Sequence, residues 1–191
     1  MLHKPKVLLT NDDGISAIGL KTLALTLCDE YDVVVAAPST NQSAVSHHLS
    51  LGKPLSVSPY SYAVNDDGPF KVLDTKISGA IEVFGTPVDS VRVGLHLFSS
   101  VEVVISGVNS GNNLGLCSLY SGTIAAALEG VALSSSVSHA TSPSILSLAL
   151  SYELRDYTEF TEDDRIGMQK VIKSVVPHVL RHILKDSTMH Q

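Results

Sequence analysis

Clusters of lysine or arginine are missing from all 191 residues, and the formal net charge is −6. Nucleic-acid binding surfaces show as basic patches or stripes, so no nucleic-acid partner is expected. Cysteine is nearly absent. Cys28 and Cys117 lie far apart without metal-ligand spacing, which suits free thiols in a reducing compartment. No apolar run is long enough to span a bilayer, and Met1-Leu2-His3-Lys4-Pro5 leads straight into a strand, so neither a membrane contact nor a signal peptide is expected. Internal repeats and low-complexity tracts are also lacking. What remains, 44% hydrophobic and 17% charged residues, is the balance of one cytoplasmic globular domain over residues 1–191.

Apolar patterning gives the order of elements. Lys6 to Thr10 reads as a short buried strand, and Leu20, Leu23, Ala24, Leu27 and Cys28 repeat at helical spacing after it. Asp32 to Pro38 is again almost wholly apolar, and strand–helix–strand of this kind predicts a parallel sheet with a right-handed crossover. A polar loop, Ser39 to His48, follows. Leu55 to Pro59 and Phe70 to Leu73 read as β-prone pieces of a small antiparallel insertion over 55–75, with Asp66-Asp67-Gly68 as its turn. The sheet resumes at Ile81 to Gly85, and Thr86-Pro87-Val88-Asp89 opens a helix with Thr86 as its N-cap. Val101 to Ile105 is a buried strand that hands over to the Gly/Asn-rich run Ser106 to Gly115. A small-residue helix follows Tyr120, capped by Ser121 or Thr123, and Ser144 to Leu150 reads as the next strand. Residues 155–191 read as a charged linker, Arg155 to Asp164, and a long amphipathic helix marked by Met168, Val171, Ile172, Val175, Val179, Leu180 and Ile183, which Pro177 should kink or break.

Thr10-Asn11-Asp12-Asp13-Gly14 sits where the first strand meets the first helix, at the carboxyl edge where open α/β sheets bind ligands. Adjacent strand residues point to opposite faces, so the two carboxylates share a site only if Gly14 lets the chain turn. Two carboxylates held close repel, and a hard divalent cation relieves them. The competing reading is a solvated turn in which Asp13 or Ser16 caps the helix. Three loops leave this edge, at Asn11 to Gly14, Ser39 to His48 and Ser106 to Gly115, and all offer oxygen donors suited to Mg2+, Mn2+ or Ca2+. A helix start at Ser121-Gly122-Thr123 adds a cradle for an anion, so metal-assisted phosphoryl chemistry is the expectation.

These residues, taken jointly, resemble the SurE family of metal-dependent nucleotidases and acid phosphatases. The resemblance is carried in order by Leu9-Thr10-Asn11-Asp12-Asp13-Gly14, Ala37-Pro38 through Gln42-Ser43, Gly85-Thr86-Pro87-Val88-Asp89, Ser106-Gly107-Val108-Asn109, Asn113-Leu114-Gly115 and Tyr120-Ser121-Gly122-Thr123 with Glu129-Gly130. It implies an α/β, Rossmann-like three-layer architecture with a parallel or mixed sheet, and hydrolysis of nucleoside monophosphates and other phosphomonoesters with Mg2+ or Mn2+. By the same resemblance Asp12, Asp13, Ser43 and Asn109 fall on metal ligands, and Asn11, Asn113, Ser121, Gly122 and Thr123 on the phosphate pocket. Asp12, Asp13 and Asn113 are then the expected catalytic groups. Of His47 and His48, His47 is the candidate acid/base group.

Two positions depart from the family pattern: its usual Gln-Ser-Gly is Gln42-Ser43-Ala44, and the acidic pair many members carry after Asn-Leu-Gly is Leu116-Cys117. Family members also continue past the long helix into a C-terminal region that builds a homodimer or higher oligomer, which this sequence is expected to lack. The rival expectation is a catalytically inactive, truncated relative that binds metal, nucleotide or a full-length partner. A receiver domain needs a later phosphoacceptor Asp and a Lys, and a haloacid-dehalogenase phosphatase needs Asp-x-Asp; neither pattern is present.

Overall fold

The computed structural model describes residues 4–66, 68–137, 145–153 and 161–188. Strands β1 (Lys6–Thr10), β2 (Asp32–Pro38), β3 (Val57–Pro59), β4 (Gly79–Val83), β5 (Val103–Ser110) and β6 (Leu146–Tyr152) form one sheet in the order β3-β4-β2-β1-β5-β6. All neighbours pair in parallel except β3, which runs antiparallel to β4 at the sheet edge. The helices are α1 (Ile18–Leu27), α2 (Tyr62–Asn65), α3 (Leu73–Lys76), α4 (Pro87–Leu97), α5 (Cys117–Tyr120), α6 (Gly122–Val137) and α7 (Glu162–Thr188).

Period-two alternation along β1 sorts the core into two layers. Val7 and Leu9 face one side, where they pack with Leu20, Leu23 and Leu27 of α1 and Met168, Ile172, Val176 and Leu180 of α7. Leu8 faces the other, with Val34, Ala36, Val91 of α4 and Ala126 of α6. Both faces of the sheet are therefore covered, which explains why β1, β2 and β5 are nearly continuous apolar runs. The architecture is the expected three-layer α/β fold with a mostly parallel sheet.

Strand order also creates the crevice. From β1 the chain moves outward through β2 to β4, then returns by α4 to place β5 on the other side of β1. The carboxyl ends of β1 and β5 thus flank a topological switch point, where ligands bind in open α/β sheets. Helix α4 begins as the sequence predicts: Thr86 and Asp89 form a capping box, with Pro87 in the first turn.

Three expectations change. Phe70 to Leu73 is turn and the start of α3 rather than a strand, and the one antiparallel partner in this region, β3, extends the main sheet instead of building a hairpin. Phe70 and Leu73 are buried, so their apolar character served the core beside α1. Strand β5 does not end at Ile105 but runs to Ser110, through a register shift between Ser106 and Asn109 against β6. Pro177 does not break α7, which continues from Glu162 to Thr188. The loss of one backbone hydrogen bond, ~3 kcal/mol in a free helix, is offset here by burial of Met168, Ile172, Val176 and Leu180. Ser144, Asp67 and most of the 155–164 linker lie outside the described residues.

The seam of α7 is directly testable. Leu180 is fully buried and Val171 is 48% exposed. Leu180→Ala should cost ~2–5 kcal/mol and Val171→Ala under about 1, read as shifts of a denaturant midpoint at constant slope. Equal losses would mean that α7 docks by another face.

Candidate active site

Gly14, at φ 103°, turns the chain after β1, and Asn11 staples that turn. Asn11 Nδ2 donates to the Gly14 carbonyl at 3.0 Å, and the Gly14 N–H donates back to Asn11 Oδ1 at 3.2 Å. Asn11 is wholly buried, so both ends of its amide serve the loop that aims the carboxylates. Neither Asp13 nor Ser16 caps α1; its N-cap is Ala17, with no side-chain hydrogen bond.

Asp12 turns toward the start of α6. Its Oδ1 accepts from Thr123 Oγ1 at 2.6 Å and its Oδ2 from the Thr123 N–H at 3.2 Å. The positive end of a helix dipole supports a carboxylate in this place. Ser121 is the cap of α6, its Oγ accepting from the Ile124 N–H at 3.1 Å. Gly122 is required by the close approach: a Cβ there would stand 2.8 Å from Asp12 Cβ and 3.1 Å from Pro87 Cγ.

Asp13 is treated differently by its surroundings. Its Oδ2 accepts one long bond, 3.3 Å, from the Ser110 N–H at the end of β5. Burial, then the adjacent Asp12 charge, push its carboxyl from the ordinary 3.8 up to about 6 against that single donor. Asp89, at the start of α4, shows the contrast. Burial would raise it too, but donors from Thr86 and Ser50 hold it below the ordinary value.

The remaining candidates have partners of their own. Asn109 Nδ2 donates to the Gly111 carbonyl at 2.9 Å, which leaves its Oδ1 as an acceptor. Asn113 Nδ2 donates to Ser151 Oγ at 2.8 Å, and Ser151 pairs with Asn109 across β5 and β6. Ser43 is exposed on the 39–50 segment, and the Gln42 N–H beside it donates to the Asp12 carbonyl at 2.7 Å. His47 goes elsewhere. Its Nε2 lies 2.8 Å from Glu129 Oε2, two turns along α6 from Thr123, and Arg92 Nη1 donates to Glu129 Oε1 at 2.5 Å. Glu129 is 6% exposed, so Arg92 and His47 are what make its burial tolerable. Glu129 belongs to a family motif, but neither it nor Arg92 is expected from the sequence as a site residue. A lone acid inside Ile124-Ala125-Ala126-Ala127-Leu128-Glu129 is the signal that marks it.

A divalent cation suits this donor set. Among the described residues no group of three or more His, Cys, Asp and Glu side chains gathers, so the site rests on two carboxylates and neutral oxygens. That is how Mg2+ is held beside substrate phosphates. Asp12 keeps spare lone pairs beyond its two bonds to Thr123, Asp13 has one oxygen without a donor among the described residues, and the mutual repulsion of the pair is unrelieved by any cationic side chain there.

The family model described as Survival protein SurE matches residues 7–190. The chain belongs to the SurE family. Among its relatives, the 5'-nucleotidase SurE of Deinococcus radiodurans is 44% identical over 130 residues, 68% of this chain and 45% of that protein. The 5'-nucleotidase SurE of Thermoanaerobacter sp. (strain X514) is 36% identical over 186 residues, 96% of this chain and 63% of that protein. The crystal structure of the SurE protein from Aquifex aeolicus superposes with a TM-score of 0.67 at 32% identity, covering 93% of this chain and 60% of that one. The chain therefore spans less than two thirds of the length of each of these relatives. No helix among the described residues is long and apolar enough to cross a membrane.

The family pattern explains one local cost. Ala44, where the resemblance expects glycine, holds φ 60°. Ala44→Gly should therefore raise stability by up to about 1 kcal/mol in a denaturant titration, since an L side chain in that region is strained; a fall would show that the alanine side chain is favourable there. The Asp13 shift fixes a pH dependence. Because its folded carboxyl titrates near 6 against an ordinary 3.8, the metal-free folded chain holds the extra proton between those values, and stability declines as pH rises through that window. The thermal midpoint should drop by a few degrees from pH 4.5 to 7. Mg2+ or Mn2+ should restore it, and Asp13→Asn should flatten this part of the profile; a dependence that survives in Asp13→Asn would locate it in another group.

Proposed function

We propose that the chain is a divalent-metal-dependent phosphomonoesterase that hydrolyses nucleoside monophosphates, in keeping with the 5'-nucleotidase names of its relatives. The observation that carries this reading is the placement of Asp12 and Asp13 at the switch point between β1 and β5, against the N-terminus of α6.

Asp12, Asp13, Ser43 and Asn109 would hold the metal, Mg2+ or Mn2+, and that ion when bound supplies Lewis-acid polarisation of a phosphoryl oxygen and a lower pKa for water. The chain's own residues do the rest. Thr123 fixes Asp12 in one orientation through two bonds, so the carboxylate need not reorganise during the reaction. Asp13, whose carboxylate has one oxygen without a donor among the described residues, would be the group that accepts a proton from an attacking water. Asn113, together with Ser121 and Gly122 at the start of α6, would offer neutral donors and a positive dipole end to phosphoryl oxygens, whereas both donors of Thr123 are engaged by Asp12. Asn11 acts one step back, by holding the turn that aims the Asp pair. His47 ties the 39–50 segment to α6 through Nε2 and Glu129, which would leave Nδ1 as the ring nitrogen for any acid/base role.

The reading is tested by release of inorganic phosphate from AMP with Mn2+ or Mg2+ present. Asp12→Asn should abolish it, because the neutral amide removes the charge that the metal needs, while the circular dichroism spectrum stays that of the parent chain. Undiminished turnover in that variant would overturn the assignment.

A further inference from the structure

Beside the Asp pair, on the β4 side of the crevice, an open pocket of about 650 Å3 is lined by Ser39, Gln42, His48, Glu82, Phe84 and Thr86, among others. That size is in the range of small-molecule sites, roughly 300–1,000 Å3. Its walls are fixed in place. The Ser39 N–H donates to the Val83 carbonyl at 2.9 Å, Thr86 Oγ1 to the His48 carbonyl at 2.6 Å, and the Ser50 N–H and Oγ to Asp89 at 3.0 and 2.7 Å.

Its chemistry is not that of a phosphate site. Lysine and arginine are missing from the described residues that line it, and it contains the carboxylate of Glu82, which repels an anion. Glu82 is held in β4 by its backbone, but its carboxylate makes no hydrogen bond or ion pair with any described residue and so is available as an acceptor for hydroxyl or amino groups. Phe84 is 52% exposed, although its backbone is anchored by donation from its N–H to the Ser56 carbonyl at 3.0 Å. A held backbone with an uncovered ring offers a face for stacking.

The pocket also adjoins the Asp pair. Gln42, in its wall, donates its N–H to the Asp12 carbonyl. Thr86, in the opposite wall, precedes Pro87, which packs with Asp12 against Gly122. A ligand with an anionic end at the Asp pair and a neutral, polar, aromatic remainder would lie across both.

We infer that this pocket binds the nucleoside half of the substrate, with the Phe84 ring stacked on the base and Glu82 accepting hydrogen bonds from sugar hydroxyls or base amino groups. The inference rests on the nucleotidase reading for the identity of the substrate but not for the existence of the site. The test therefore separates the two by using adenosine, which carries no phosphate, titrated calorimetrically into the full chain and into Phe84→Ala and Glu82→Gln. Adenosine should bind the parent chain, and Phe84→Ala should bind it about ten-fold more weakly, the scale of one base–aromatic stack. Glu82→Gln should also weaken it. No binding to the parent, or equal binding to parent and Phe84→Ala, overturns the inference. In parallel, the preference for AMP over glycerol phosphate, as a ratio of kcat/KM with Mn2+, should fall about ten-fold in Phe84→Ala; an unchanged ratio overturns the pocket's part in the reaction. Adenosine binding that responds to Phe84 in a chain that releases no phosphate would sink the nucleotidase reading alone and leave the nucleoside site standing.

Discussion

The grip of Thr123 on Asp12 is the interaction on which the rest of the site depends. It joins residues 111 positions apart, from the end of a central strand to the start of a helix on the opposite layer of core from α1. Through it, the direction of β1 and the position of α6 become one constraint. Gly122 follows from that constraint, since any larger residue would collide with Asp12. Electrostatics agree with geometry, because the carboxylate lies at the positive end of the α6 dipole while Asp13, one residue on, is left with a single long donor. One carboxylate is thereby satisfied and the other is left with few donors.

The 39–50 segment is the second structural requirement. It crosses the crevice without regular secondary structure, yet it is tied to β1 through Gln42 and Asp12, to α5 through Ser46, whose N–H and Oγ donate to the Tyr120 and Leu119 carbonyls, to α6 through His47 and Glu129, and to α4 through Ser50 and Asp89. A loop bonded to four elements behaves as part of the scaffold. This accounts for its tolerance of Ala44 at a positive φ: the surrounding bonds over-determine the backbone, and the strain is carried elsewhere.

Much of this was legible in the residues. Lys6–Thr10 and Asp32–Pro38 form at the bounds that their apolar runs predict, α1 forms over the repeat of Leu20, Leu23, Ala24 and Leu27, and the Thr86-Pro87-Val88-Asp89 helix start forms with its capping box, because each is decided by neighbours a few positions away. Failures occurred where distant contacts outvoted local preference. Phe70 to Leu73 has β-prone residues but packs as turn and helix against α1, and Pro177 has a breaker's chemistry but lies in a helix whose buried face outweighs it. At the site, the acidic pair and the Asn-rich loops were visible as types. The engagement of His47 with Glu129 and Arg92 was not, because those three residues span 82 positions and share no local pattern.

The Asn11-Asp12-Asp13-Gly14 turn was determined by sequence alone, since a strand, two acids and a residue able to take positive φ leave little choice of local shape. Its chemistry was decided only in three dimensions. Whether each acid is paired, strained or free depends on donors from Thr123 and Ser110, far along the chain. Local sterics act over a few bonds, whereas burial and charge act through space, and space is assigned to these residues only when the sheet is assembled.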